Sequence, residues 1–387
     1  MEIPQNYIGR EHSLIKHALL KAYLERLFMI IGQVEESICY VDCFAGPWQS
    51  KDENLTDTSV GIAFDIIKKC REALYKKFNR KVLFKALFIE KRKDSFNKLE
   101  CFCHDNSCNT MILNCIKGEF YDLRHEILNW CGTSDFVFFF IDPKGWKNAI
   151  EIPTLSPLLK RPRSEFLINF MFPFLIRTVP IEKHKDDIIS IFGFVPVTDD
   201  MTTEEKELYL LHKYREYIKS ESIHGIKLRS AYVKVKHPIQ ERTKYDLVYF
   251  SCSPKGITVF FEESEKLDWI QRSLRAEIQQ DYRENKSGQM EIFEALETQN
   301  HEKTCPDIVI VKNYWLKQLS YTPKVFGITQ LADMLEETGW FISDFQRAFS
   351  ELLKKGIVEN LNAKKKRPKH PIHFSANTGR GEFLRIV

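Results

Sequence analysis

The sequence contains no apolar run long enough to span a bilayer. Its longest strongly apolar stretches, Phe136 to Ile141 and Phe166 to Ile176, fall short of the roughly 18 residues that a membrane helix needs. The second stretch is also interrupted by Asn169 and Pro173. The amino terminus, Met1 to Asn6, lacks the basic region and apolar core of a signal peptide. We therefore expect a cytoplasmic protein with no membrane partner.

Cysteine is sparse and the charge is nearly balanced. Ten Cys in 387 residues are far below the density of a disulfide scaffold, so structural disulfides are not expected. Lys plus Arg number 57 and Asp plus Glu number 53, which gives a net charge of +4. This surplus is too small for nucleic-acid binding over the whole surface. Any basic footprint must therefore be local.

The length and composition are those of an ordinary globular protein with two domains. In the first part, apolar runs alternate with stretches of helical periodicity. Because the runs are apolar throughout, the pattern predicts an α/β domain with a parallel sheet covered on both faces. The predicted strands are Ile38 to Phe44, Val82 to Ile89, Thr110 to Ile116, Phe136 to Ile141 and Phe166 to Phe172.

Two further strands, Leu228 to Lys236 and Tyr245 to Ser251, alternate apolar with polar residues and predict an antiparallel hairpin. Five β/α units closed by such a hairpin outline a Rossmann-like, doubly wound, mostly parallel sheet of the class I methyltransferase type. The same outline fits other doubly wound folds, so motifs must decide between them.

The last part of the chain predicts helix, turn, helix, strand, basic loop and strand, which is the order of a winged helix-turn-helix domain. A polar segment rich in Asn, Gln, Glu and Lys precedes it. We therefore predict a methyltransferase-type domain over residues 1–285 with a helical insertion at about 177–225. A linker over 286–320 and a winged-helix domain over 321–387 follow.

The first strand ends in Tyr40-Val-Asp-Cys-Phe-Ala-Gly-Pro47. At the carboxyl edge of a parallel sheet, Gly46 lets the backbone approach a ligand closely, and Asp42 can anchor a charged or hydroxyl-bearing group. The run lacks the Lys and second Gly of a phosphate-binding P-loop. A plain strand-to-helix turn is the alternative interpretation.

Acidic residues also follow the second and third strands. Glu90 ends Leu87-Phe-Ile-Glu90, where an acid can accept both ribose hydroxyls of an adenosine-containing cofactor. The alternative is a solvated Glu90 that pairs with Lys91 or Arg92. In Lys117-Gly-Glu119 the acid lies where it can reach the adenine side of such a cofactor.

The fourth strand delivers Asp142 to the same edge, in Phe138-Phe-Phe-Ile-Asp-Pro-Lys-Gly-Trp146. A buried Asp142 needs a partner, so either backbone N–H groups bind it as a loop staple or it accepts from a substrate amine. Trp146 adds a large flat ring, a candidate platform for a flipped base.

Together these motifs resemble the three-Cys-motif partner family (TcmP), over most of the first 250 residues. The resemblance rests on helix Glu11 to Leu24 with His12, Lys16 and His17, and on four strand-end motifs. These motifs are Tyr40-Val-Asp-Cys-Phe-Ala-Gly-Pro47, Phe88-Ile-Glu90, Phe140-Ile-Asp-Pro-Lys-Gly145 and Glu165-Phe-Leu-Ile-Asn-Phe170. It implies a class I S-adenosylmethionine-dependent methyltransferase that occurs beside a three-Cys-motif, radical-SAM-like protein in a phage or mobile-element context. By that resemblance Asp42, Phe44 and Gly46 form the cofactor loop, Glu90 is the ribose acid, Glu119 the adenine-side acid and Asp142 the catalytic acid.

Two positions depart from that pattern. The family's loop usually continues with a second Gly where this chain has Trp48, a side chain that could crowd the methionine moiety of the cofactor. The catalytic loop reads Asp-Pro-Lys-Gly, whereas amino-methylating DNA enzymes carry Asp-Pro-Pro followed by an aromatic residue that stacks on the flipped base.

Two clusters remain. The first, Cys101-Phe-Cys-His104 with Cys108, contains zinc-ligand residue types at an unusual spacing, and we predict no metal there. The second cluster predicts a nucleic-acid contact on a wing, or else a solvated basic loop. It comprises Lys364, Lys365, Lys366, Arg367 and Lys369.

The sequence therefore predicts an S-adenosylmethionine-dependent methyltransferase acting on nucleic acid, with DNA as the expected partner. The alternative is a catalytically silent module that keeps the fold and binds nucleic acid or protein.

Overall fold

The computed structural model describes residues 11–46, 55, 57–222, 225–287, 306–365, 367 and 369–387. The chain divides into two compact units, Met1–Cys252 and Ser253–Val387. The sequence pattern predicts the boundary near residue 285, after a long polar helix, whereas the structure groups that helix with the second unit. Within the described residues, none of the helices is both long and apolar enough to cross a lipid bilayer.

The first unit is an α/β fold built on a seven-stranded, mostly parallel sheet with the strand order β3-β2-β1-β4-β5-β7-β6. Strands β1 to β5 are parallel, and β7 pairs antiparallel with both β5 and β6. The predicted hairpin and the α/β class are therefore confirmed. The strands are β1 (Ser37–Asp42), β2 (Leu83–Glu90), β3 (Met111–Lys117), β4 (Phe136–Ile141), β5 (Ser164–Phe170), β6 (Arg229–Lys236) and β7 (Thr243–Ser251).

Helices cover both faces of this sheet because the central strands are apolar on both sides. All six residues of β4 and all seven of β5 are buried. The predicted insertion at about 177–225 contains a short 3-10 turn at Glu182–His184 and the helices α7 (Lys185–Phe192) and α8 (Thr203–Ser220). The helices of this unit are α1 (Glu11–Ile31), α2 (Ser59–Phe78), α3 (Lys93–Asn106), α4 (Phe120–Cys131), α5 (Ile152–Leu159), α6 (Phe172–Thr178), α7 (Lys185–Phe192) and α8 (Thr203–Ser220).

Local sequence signals fix both ends of α2, and aromatic packing fixes α1. The Thr58 side chain caps α2 by accepting from the Gly61 amide at 3.1 Å, and Asn79 ends that helix in the left-handed conformation with φ 51°. The Phe28 ring of α1 contacts Phe84 of β2 with ring centroids 5.5 Å apart. Both helices are thus held in place beside the strands that carry the polar edge residues.

The second unit combines helices with a three-stranded antiparallel sheet of order β8-β10-β9. Trp315 is its largest buried side chain, and the indole N–H donates to the Phe345 carbonyl at 3.0 Å. One helix, α10, lies inside the segment predicted as a linker. The elements are α9 (Pro254–Ser287), α10 (Ile308–Gln318), β8 (Lys324–Phe326), α11 (Ile328–Thr338), α12 (Ile342–Lys354), β9 (Val358–Asn360) and β10 (Glu382–Ile386).

Candidate functional site

Four parallel strands deliver polar side chains to one edge of the first unit's sheet. Asp42 ends β1, Glu90 ends β2, Asp142 follows β4, and Asn169 lies one residue before the end of β5. Strand order reverses direction between β1 and β4, because β2 and β3 lie on one side of β1 while β4 and β5 lie on the other. Ligands of doubly wound folds bind at such a switch point.

Asp42 is fully buried and is held by two donors. Its Oδ1 accepts from the Phe44 amide at 3.1 Å, and its Oδ2 accepts from the Ser59 hydroxyl at 2.6 Å. Burial raises the pKa of Asp42 from 3.8 to about 7, against the lowering effect of these two hydrogen bonds. Near neutral pH the carboxyl group therefore titrates, and a cation that binds beside it would favour the ionised form.

The loop after β1 is anchored to both neighbouring strands. The Cys43 amide donates to the Phe140 carbonyl of β4, and the Ala45 amide donates to the Ile89 carbonyl of β2, both at 2.9 Å. Gly46 has φ +79°, a conformation that favours glycine. Trp48, which stands where the three-Cys-motif partner family usually has a second Gly, lies outside the described residues.

Glu90 and Glu119 occupy different environments. Glu90 is only 5% exposed, and its Oε1 accepts from the Arg92 amide at 2.7 Å. Among the described residues its Oε2 has no hydrogen-bond partner. Glu119 is 55% exposed and pairs with Lys91 Nζ at 3.0 Å. Glu90 therefore contacts the Arg92 backbone and does not form the alternative side-chain pair with Lys91 or Arg92.

Asp142 is bound by side chains and not by the loop backbone. Lys16 of α1 forms an ion pair with its Oδ2, and Asn169 Nδ2 donates to its Oδ1 at 2.6 Å. The side chains of Lys16 and Asp142 are 13% and 17% exposed. Asn169 Oδ1 is buried without a hydrogen-bond partner among the described residues. The structure therefore assembles a Lys–Asp–Asn cluster whose amide oxygen is left without a donor.

Helix α1 supplies two polar contacts on the same face, because Lys16 and Tyr23 are seven residues, or two turns, apart. The Tyr23 hydroxyl donates to Glu165 at 3.0 Å and lies 2.6 Å from the Tyr249 hydroxyl, while the Ser251 hydroxyl also donates to Glu165 at 2.8 Å. Burial raises the pKa of Glu165. This deeper cluster is fully enclosed, so it fixes α1 on the sheet and positions Lys16.

The structure corrects the interpretation of Trp146 as a stacking platform. Its ring is 9% exposed, belongs to the apolar core and meets His184 edge-on at a centroid distance of 6.0 Å. The indole turns inward because burying a large apolar ring in this core is more favourable than leaving it in water. An incoming base therefore has no open face of Trp146 on which to stack.

The Cys cluster also has a structural explanation. Cys103 is buried on α3, Cys101 is exposed, and Cys108 Sγ accepts from Arg71 Nη1 at 3.1 Å. Within the described residues, no group of three or more His, Cys, Asp or Glu side chains is arranged to hold a metal ion.

In the second unit, the basic residues divide into two kinds. Lys364, Lys365 and Lys369 are exposed, whereas Arg367 Nη1 donates to both oxygens of the buried Glu382 at 2.7 and 3.0 Å. Glu382 Oε2 also accepts from the His373 amide at 2.8 Å. Arg367 therefore fastens the basic loop to β10. Lys366 lies outside the described residues.

No protein-family model and no curated protein matches the sequence. Solved structures with some similarity include the O-methyltransferase TomG from Streptomyces achromogenes, which was crystallised with S-adenosylmethionine. It is 9% identical, with a TM-score of 0.29, and the match covers 58% of this chain and 77% of that one. Protein LPL1258 from Legionella pneumophila, of family DUF519, is 12% identical with a TM-score of 0.35 over 68% of this chain and 92% of that one. A DUF574-family protein from Streptomyces avermitilis is 9% identical, with a TM-score of 0.29. The match covers 62% of this chain and 88% of that one. The α/β fold of this chain is assigned from its own strand order.

Proposed function

We propose that this chain is an S-adenosylmethionine-dependent methyltransferase that acts on nucleic acid. The observation that carries the proposal is the strand order β3-β2-β1-β4-β5-β7-β6 with an antiparallel β7, together with acids at the ends of β1, β2 and β4. Such a sheet binds ligands outside the carboxyl ends of its strands, and in this chain those ends carry the polar groups that the cofactor requires.

The cofactor half of the site comprises the edge of β1 to β3. Glu90 Oε2 is available to a ribose hydroxyl, Asp42 can face the cationic methionine moiety, and the loop with Phe44 and Gly46 lies between them. Glu119 is exposed at the adenine side, where its bond to Lys91 must open or rearrange. When bound, S-adenosylmethionine supplies an electrophilic methyl group to this edge.

The acceptor half comprises Lys16, Asp142 and Asn169. Because Lys16 and Asn169 hold both oxygens of Asp142, the carboxylate is fixed in orientation before any substrate arrives. The free amide oxygen of Asn169 and the Asp142 carboxylate are acceptors that suit an amine donor. In this scheme Asp142 orients the acceptor nitrogen so that its lone pair faces the methyl group.

The second unit supplies the nucleic-acid contact. After α9, its order of helix, strand, two helices and two strands, with a basic loop between β9 and β10, supports a winged helix-turn-helix domain. The exposed Lys364, Lys365 and Lys369 suit a phosphate backbone, and Arg367 holds their loop in place.

We also propose that the chain is a three-Cys-motif partner and acts with a three-Cys-motif, radical-SAM-like protein. The sequence motifs at the ends of β1, β2, β4 and β5 support this proposal. Co-purification of the two tagged proteins would test it, and separate elution of both proteins at micromolar concentrations would contradict it.

Transfer of a labelled methyl group tests the activity. Wild-type protein, labelled S-adenosylmethionine and separate pools of duplex DNA, RNA and protein should give label in a nucleic-acid pool. Asp142→Asn should lose at least about 100-fold in rate, the usual scale for a group that handles a proton or orients an acceptor. Equal labelling by wild type and Asp142→Asn would contradict the role of Asp142.

The contacts that Glu90 and Asp142 already make within the protein favour the alternative, a catalytically silent binding module. Glu90 already accepts from the Arg92 amide, and both oxygens of Asp142 are engaged within the protein. A silent module would bind nucleic acid or protein but would neither bind S-adenosylmethionine nor transfer its methyl group. Calorimetric titration with the cofactor separates the two functions.

A further inference from the structure

Helix α6 exposes an aromatic ring at the carboxyl edge of the sheet. Phe172 and Leu175 are buried at 3% and 0% exposure, whereas Phe174 between them is 43% exposed. The Phe174 amide donates to the Met171 carbonyl at 3.0 Å, so the chain turns immediately after β5. The exposed ring therefore stands on a helix whose opposite side is anchored in the core.

This ring lies close in the chain to the acceptor half of the site. Asn169, which contacts Asp142, is five residues before Phe174. Five residues span at most about 18 Å even when fully extended, and the turn at Met171 shortens that distance. Phe174 thus lies within about 18 Å of Asn169 and follows β5, on the opposite side of the switch point from β2 and β3.

A fixed cation accompanies the ring. The Arg177 guanidinium carbon is 5.0 Å from the Phe174 ring centroid, and Arg177 Nε donates to the Pro173 carbonyl at 2.8 Å. An exposed aromatic ring with an adjacent guanidinium suits a nucleotide, because the ring can stack on the base while the cation meets the phosphate.

We infer that Phe174 is the surface on which the acceptor nucleobase stacks, and that Arg177 contacts that nucleotide's phosphate. The inference rests on the proposed function and deepens it by assigning the acceptor-side contact. Trp146 cannot serve as this surface because its ring is buried in the core. Phe174 instead provides an open ring on the same side of the switch point.

Helix α4 offers a matched control. Tyr121 is 40% exposed, and the Arg124 guanidinium carbon is 4.1 Å from its ring centroid. This pair follows β3, on the cofactor side of the sheet. The two aromatic–arginine pairs have the same chemistry but lie toward opposite sides of the switch point, so only Phe174 should affect the acceptor base.

The test compares a mixed-sequence single-stranded oligodeoxynucleotide with an abasic strand of equal length. Fluorescence anisotropy in the presence of S-adenosylhomocysteine gives the ratio of the two dissociation constants, in which the phosphate contacts cancel. Wild type should favour the strand with bases by at least about fivefold, the effect of one base stacked on an aromatic ring. Phe174→Leu should bring the ratio close to one, whereas Phe174→Trp and Tyr121→Leu should keep it.

Retention of the ratio by Phe174→Leu, or a wild-type ratio near one, would overturn the inference. Arg177→Gln gives a second measurement, since it should weaken binding of both strands alike without changing the ratio. Calorimetry with S-adenosylmethionine separates the two proposals. If the protein binds the cofactor but shows no base preference, only the stacking is refuted. If it binds no cofactor but shows a base preference that Phe174→Leu abolishes, methyl transfer is refuted and the stacking stands.

Discussion

Burial of the Asp42 carboxyl group should affect both stability and the proposed cofactor binding. Its pKa is about 7 in the folded protein and 3.8 ordinarily. Between these two pH values the folded state therefore keeps a proton that the unfolded state has released. The free energy of unfolding should therefore fall as the pH rises from 3.8 to about 7 and stay level above that. Binding of a cationic cofactor should tighten over the same upper range, because the carboxylate becomes charged.

Replacing Asp42 by Asn should remove this pH dependence. The neutral side chain avoids the cost of burying a charge, which the pKa shift places on the order of 4 kcal/mol above pH 7. Urea unfolding of wild type and Asp42→Asn across this pH range measures the difference. The exposed Asp122→Asn on α4 is the control and should follow wild type. A parallel pH profile for wild type and Asp42→Asn would contradict the assigned pKa.

Among the elements, helix α1 places Lys16 beside Asp142 at the carboxyl edge of the sheet. Lys16→Met leaves the Asp142 carboxylate with one donor in a site that is mostly buried, and should lower stability by roughly 2–4 kcal/mol. Lys21→Met, at an exposed position of the same helix, should change stability by less than about 0.5 kcal/mol. Thermal melting compares the variants. Equal melting temperatures would show that the ion pair contributes nothing to the placement of α1.

The basic loop of the second unit should contribute to the salt dependence of nucleic-acid binding. Replacing Lys364 and Lys365 by Ala should weaken binding of all duplex sequences alike. The salt-dependence slope should fall by about 0.9 for each phosphate that the loop no longer neutralises. The matched variant replaces Lys317 and Lys324, which are exposed elsewhere in this unit, and should leave the slope unchanged. Identical slopes for both double variants would make the loop an ordinary solvated surface.

Arg367 should behave differently from these lysines. It binds the buried Glu382, whose pKa is lowered on balance: burial raises it, but hydrogen bonds from the His373 amide and Arg367 outweigh that effect. Arg367→Ala should therefore lower the stability of the second unit by about 1–3 kcal/mol. Urea unfolding followed by Trp fluorescence, with Trp315 buried in this unit, provides the measurement. A loss of nucleic-acid affinity with unchanged stability would return Arg367 to the set of phosphate contacts.

Over the whole molecule, the periodicity of the sequence predicts the features that depend on residues close together in the chain, such as strands and the residues at their ends. The strand Phe136 to Ile141 was predicted to the residue because an unbroken apolar run buried on both faces has few alternatives. The acids at strand ends followed from the shared direction of parallel strands. These parts of the fold and site needed no knowledge of distant contacts.

What sequence patterns missed depends on contacts between distant residues. Lys16 and Asp142 are 126 positions apart, so no local pattern pairs them. The sequence makes Trp146 a candidate platform because a loop position does not reveal which way a ring points, whereas in the structure the ring is buried in the core. Arg367 belonged to a run of like charges, and only the buried Glu382 distinguishes its role.

The proposed function requires that the carboxyl edge of the seven-stranded sheet binds S-adenosylmethionine. Isothermal titration of wild type and Glu90→Ala with the cofactor tests it most directly, with Glu119→Ala as a comparison at an exposed acid. We predict micromolar binding by wild type and a loss of at least about tenfold for Glu90→Ala, whose carboxylate is buried at the end of β2. Glu119→Ala, at the exposed acid, should lose less. Absence of binding by the folded wild type, or equal affinity for wild type and Glu90→Ala, would contradict it.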